Sequence, residues 1–170
     1  METRISAISK EKISSLPGFL MLAGIMSFLP AMIHNQFVTG PIVNAVLYIS
    51  TYFFSLKDCF LLALLPSIFA AISNLLPSAM IPMLPYIIVS NFILILIFQK
   101  IKDKNYWIGV FLASSAKFLF LFLISSFFAG LFFKNTLPLK VSQMMAWPQL
   151  ATALGGGIIA YFILTKINKK

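Results

Sequence analysis

The sequence predicts an all-α fold: a polytopic membrane protein, a compact bundle of six transmembrane helices with both termini cytoplasmic. Three observations predict it. Of 170 residues, 60% are hydrophobic and only 10% charged, where a soluble domain carries about 25% charged residues. The apolar residues fall into six runs, and the fifth, at about 107–133, is long enough to cross a hydrocarbon core of about 30 Å. The basic residues between the runs also segregate. Arg4, Lys10, Lys12, Lys57, Lys100, Lys102, Lys104, Lys166, Lys169 and Lys170 collect on one side, and only Lys134 and Lys140 on the other. Ten against two assigns the first side to the cytoplasm. The formal net charge of +9 therefore reads as membrane topology, not as a nucleic-acid surface.

Residues 1–170 form a single domain, with spans at about 16–33, 42–55, 59–76, 83–98, 107–133 and 148–164. The first run exceeds the 7–15 residues of a signal-peptide core and more runs follow it, so it reads as a retained span. Ala23, Ser27 and Ala31 recur along it at a spacing of four, a small-residue face that either receives another helix closely or packs internally. The break from His34 to Gly40 leads to Pro41, which suits the first turn of a second helix. Ala63, Ser67 and Ala71 repeat the small-residue spacing in the third span, where Pro66 is an interior kink point. The proline-rich connection 77–85 reads as ordered against the protein. Gln99 to Asn105 form a basic turn, followed by the interfacial aromatics Tyr106 and Trp107. Residues 141–147 read as an amphipathic surface stretch, and Gly155, Gly156 and Gly157 interrupt the last span.

Lys117 is the residue that does not fit an apolar run. It lies about 15 Å along the helix from Trp107, and an ammonium at that depth costs roughly 3 kcal/mol or more. The chain has four acidic residues, Glu2, Glu11, Asp58 and Asp103, and none lies inside a run. The expected partner of Lys117 is therefore a backbone carbonyl, an amide, water, another subunit or an anionic ligand, unless the side chain snorkels to the interface. The topology brings further polar groups toward the same outer half: Asn35, Gln36, Asn44, Tyr48, Tyr86, Asn91, Trp147 and Gln149. Spans four and five are antiparallel neighbours, so Asn91 and Lys117 share a depth. The expected site is an outward-facing polar pocket with Asn91 and Lys117 at its floor. For the residues near helix ends, the competing role is satisfaction of those ends.

Chemistry of other kinds finds few residues. The single Cys59 excludes an internal disulfide, and the single His34 excludes a bis-histidine haem or three-histidine zinc site within the chain. No glycine-rich phosphate loop with lysine occurs. No intramembrane carboxylate is present to carry protons for a secondary transporter. A nucleophile–base pair is also lacking, so no catalytic residue, metal ligand or cofactor is assigned and the chain is not read as an enzyme.

The layout of six helices in a chain this short, with Gly40-Pro41-Ile42-Val43-Asn44-Ala45 after the first outer loop, resembles the S component of energy-coupling-factor (ECF) vitamin transporters. Ala23, Ser27 and Ala31 resemble the face by which that family's first helix docks on its coupling partner. Asn44 stands where the family often has glycine, and the Met-His start of its metal-transporting members is not found at Met1-Glu2-Thr3. The resemblance implies a non-catalytic substrate-binding subunit of an ATP-driven micronutrient importer in the cell membrane. Its implied partners are a transmembrane coupling (T) subunit and two ABC ATPase subunits in trans, and its substrate a small, vitamin-like molecule. Lys117 favours an anionic one. The alternative is a non-catalytic structural or assembly subunit of a larger membrane complex. The charge segregation generates a direct test: a cysteine at Lys170 should react with an impermeant thiol reagent only from the cytoplasmic side, and one at Asn135 only from outside. Labelling of Asn135 from the cytoplasm would contradict the topology.

Overall fold

The computed structural model describes residues 13–33, 35–72, 78–132 and 145–168, and among them it is all-helical. Its helices are α1 (Leu16–Met32), α2 (Gln36–Phe53), α3 (Leu56–Ile72), α4 (Leu84–Ile101), α5 (Tyr106–Phe132) and α6 (Trp147–Asn168), with a 3-10 helix, Ser78–Met83, before α4. Local chemistry sets the starts. Asn35 accepts the Phe37 N–H on its side chain at 2.9 Å, capping α2. Ser55 and Asp58 exchange hydrogen bonds at the head of α3. Asn105 accepts the Ile108 N–H at 3.0 Å and starts α5. Pro85 and Pro148 occupy the first turns of α4 and α6, where no N–H is needed.

The capping by Asn35 revises the expected start of the second helix. Residues 36–40 are already helical, so Pro41 is interior and Asn44 lies eight residues in, about 12 Å from the helix start. Three helical stretches are long and apolar enough to cross a bilayer: Ile81–Ile101, Tyr106–Phe127 and Trp147–Ile167. They make this a membrane protein. α1 and α3 have 17 residues each, about 26 Å.

α1 packs on α3, α3 on α4, α4 on α5, α5 on α6, and α6 on α2, which also touches α1, α3 and α4. α2 is thus the central helix, and every residue from Asn44 to Thr51 is buried. Polarity is arranged inside out. Ser50, Ser90, Asn91, Ser114, Lys117 and Thr152 are buried, whereas Leu20, Phe28, Phe111, Leu123, Phe127 and Phe162 are exposed. Such a surface suits lipid and not water. The half of the core toward the α4–α5 turn is aromatic: the Phe98 ring meets Tyr48 at 4.6 Å and Tyr106 at 5.5 Å, both edge-on. Lys102, expected as a free loop charge, is buried there. Its ammonium donates to the Thr51 carbonyl in the last turn of α2 and lies 4.3 Å from the centre of the Tyr52 ring.

Two members of the small-residue stripe of α1, Ala23 and Ser27, pack inward. Ser27 is buried with its hydroxyl donating to the Ala23 carbonyl at 2.8 Å, and Ala23 packs against the core. The side chain of Ala31 lies outside the described residues, as do His34, Asn74, residues 141–144, Lys134 and Lys140. Ala23 and Ser27 thus contribute to internal packing, the other role that their spacing of four allows.

Close approach of α6 to α2 depends on Gly156. A Cβ there would stand 2.6 Å from the Asn44 Cβ and 2.8 Å from the Ala45 nitrogen and the Pro41 oxygen. Two of these are backbone atoms and cannot swing aside. Gly156→Ala should lower stability by about 1–3 kcal/mol through overpacking. Gly24→Ala, with nothing within 4 Å of the new Cβ, should be neutral or gain up to about 1 kcal/mol of helix propensity. Thermal melting of both variants in detergent checks the contrast, and equal melting temperatures would show that α2 and α6 are not packed this closely.

Candidate functional site

Lys117 sits at the middle of α5, eleven residues or about 16 Å from its start, and is 3% exposed. It reaches sideways into the bundle and does not snorkel. Its ammonium donates to Asn44 Oδ1 of α2 and to Asn91 Oδ1 of α4, each at 2.7 Å. Asn91 is seven residues into its helix and Asn44 eight, so the three helices bring their polar groups to one level. Both amides are aimed by their other ends. Asn44 Nδ2 donates to the Gly40 carbonyl at 2.9 Å, and Asn91 Nδ2 to the Ala63 carbonyl of α3 at 3.4 Å. With the NH2 groups held by carbonyls, both oxygens face the ammonium.

The ammonium has three donors, and two are used. Lys117, Asn44 and Asn91 lie at one end of a cavity of about 150 Å³. The cavity continues past Ser67 and Ile87 to Gln36, Thr39, Leu84 and Gln149, in the end turns of their helices. Pro30, Val43 and Pro66 supply apolar wall. Asp58 is in the first turn of α3 and Asp103 in the α4–α5 turn, both at the opposite end of the bundle. The positive charge therefore meets neutral dipoles alone among the described residues. Groups of three or more His, Cys, Asp or Glu that could hold a metal are absent among those residues.

Known protein families, characterised proteins and solved structures offer no match to this chain.

Of the nine residues that the sequence marks for a ligand, five line the cavity: Gln36, Asn44, Asn91, Lys117 and Gln149. The other four stand elsewhere. Asn35 is spent on the α2 cap. Tyr48 is fully buried in the aromatic core, its hydroxyl 2.9 Å from Ser114 Oγ. Tyr86 packs beside Met83, Leu121 and Met145. Trp147 is 63% exposed and stacks 5.6 Å from the Phe37 ring. Residues that sequence reasoning left unassigned also line the space, chiefly Ser67 and Thr152. Ser67 was legible only as a small residue at a spacing of four, and that spacing carries no sign of a cavity.

The geometry predicts a specific coupling. Asn91→Leu should destabilise the fold by about 1.5–3 kcal/mol, the value of a hydrogen bond to a charged group. In a Lys117→Met background the same change should cost much less, because the buried charge is gone. A double-mutant cycle from unfolding in detergent reads the difference. Additive effects would mean that the two side chains do not interact.

Proposed function

We propose that this chain is the substrate-binding membrane subunit of an ATP-driven, ECF-type importer, crossing the cell membrane six times with both termini in the cytoplasm. On this reading it binds a small anionic, vitamin-like molecule from the outer side and has no catalysis of its own. A transmembrane coupling subunit and two ABC ATPase subunits in trans supply the energy. One observation carries the reading: a buried ammonium at the floor of a cavity, held by two neutral amides with one donor to spare. A charge kept in low dielectric without a counter-ion is costly, and an anionic ligand offsets that cost on binding. Support also comes from the charge distribution, since the cavity lies at the end of the bundle remote from Lys57, Lys100 and Lys104. The coupling subunit would meet α1, which carries the Ala23, Ser27 and Ala31 stripe and exposes Leu20, Phe28 and Met32.

The test is affinity purification of the chain from its own membrane in mild detergent. ATPase subunits and a small anionic molecule should come with it, and Lys117→Met should weaken that molecule's binding by about 2–5 kcal/mol, as when one partner of a buried charge pair is removed. Recovery of other membrane subunits without an ATPase would favour a structural or assembly role. Unchanged affinity in Lys117→Met would remove the anion site.

A further inference from the structure

We propose that the cavity takes a small monocarboxylate, one oxygen held by the spare donor of Lys117 and the other by the hydroxyl of Ser67. This rests on the cavity being the substrate site of the importer proposed above. Among the buried serines and threonines of the described residues, Ser67 is the one without a hydrogen-bond partner. Ser27, Ser50, Thr51, Ser90 and Thr152 each donate back to a carbonyl three or four residues earlier in their own helix. That is the usual resource of a hydroxyl in an apolar helix. Ser67 is 4% exposed, lines the cavity, and has no hydrogen-bond partner among the described residues. The carbonyl four residues back, that of Ala63, instead receives the Asn91 amide. The bond that aims Asn91 at Lys117 thus ends on one of the carbonyls nearest to Ser67 in its own helix. A buried unpaired hydroxyl is disfavoured, and a ligand oxygen in the cavity relieves it. Ser67 lies one turn from Ala63, about 6 Å along α3, and therefore beside the floor.

Charge and size narrow the class. Among the described residues that line the cavity, Lys117 is the single ionisable side chain; the rest of their polar groups are amides and hydroxyls. A monocarboxylate brings this site to neutrality. A phosphomonoester carries about −1.5 to −2 at pH 7 and would leave buried negative charge unmatched. A zwitterion would need a carboxylate for its ammonium, and the lining has none. About 150 Å³ matches a cavity known to hold a benzene ring, and Val43, Leu84 and Ile87 suit an apolar body of that size.

The experiment is calorimetric titration of the purified full chain in detergent with benzoate, benzamide and phenyl phosphate. Benzoate should bind saturably, and the other two at least about ten-fold more weakly. Ser67→Ala should weaken benzoate about ten-fold, the loss of one charge-assisted hydrogen bond. The melting temperature of the unliganded protein should stay unchanged or rise, because an unpaired hydroxyl has been removed. Lys117→Met should abolish the signal. Absence of saturable benzoate binding, equal affinity for benzamide, tighter binding of phenyl phosphate, or unchanged affinity in Ser67→Ala would each overturn the proposal. Benzoate binding by a chain that purifies without an ATPase would uphold the carboxylate site and discard the importer. ATPase partners without benzoate binding would keep the importer and discard the carboxylate.

Discussion

The Lys117 ammonium is the constraint around which the half of this bundle remote from the α4–α5 turn is built. A charge in the middle of an apolar helix must find dipoles, and here it finds two amides on two other helices. Each amide is useful only because its NH2 group is held elsewhere. Asn44 is held within α2 by Gly40, and Asn91 is held by α3 through Ala63. One lysine therefore ties four helices to a common level. Such a network favours one register of those helices, because sliding any of them by a turn, about 5.4 Å, would break at least one of its bonds.

That network dictates which helix can stand in the centre. α2 carries Asn44, Tyr48, Ser50 and Thr51 along its length, and in a bilayer these cannot face lipid without cost. Central placement gives each a protein partner: Asn44 the lysine, Tyr48 the Ser114 hydroxyl, and Ser50 and Thr51 their own helix. Central placement also requires α6 to come very near, which the bare Gly156 surface against Asn44 and Ala45 permits. The glycine and the asparagine are thus parts of one arrangement. A side chain at position 156 would displace the amide that holds the charge.

Much of this was legible in the sequence where composition or charge decides. Six apolar runs correspond to six helices, and the depth argument pairing Asn91 with Lys117 corresponds to a 2.7 Å hydrogen bond. The reading was weaker where an asparagine or a proline has two possible uses. Pro41 resembles a helix start, but the Asn35 cap lies six residues earlier and moves Asn44 from the helix end to its interior. Tyr48 has a polar tip at the right depth, yet a helix face is a matter of about 100° per residue, and Tyr48 points to the aromatic core. The stripe Ala23, Ser27 and Ala31 is equally compatible with an outside partner and an inside neighbour, and spacing alone does not distinguish them. Ser67 was hidden for a different reason: what singles it out is a bond it does not make, which depends on where Asn91 sends its amide.

The two buried lysines show why Lys117 points to a ligand when burial by itself does not. Lys102 is 9% exposed, in a turn at the end of the bundle where its neighbours are already negative in character. The Thr51 carbonyl it meets is at the C-terminal end of α2, where the helix dipole favours a cation, and the Tyr52 ring offers its face 4.3 Å away. Structure alone accounts for that lysine. Lys117 lies at mid-helix, where no dipole end reaches it, and its amide partners are neutral. Its remaining donor is left for a cavity that the Ser67 hydroxyl, which has no partner among the described residues, also lines. A purely structural lysine would be expected to close its own hydrogen-bond shell. Here the shell stays open on the cavity side, and two unmet needs of matching chemistry meet in the same place.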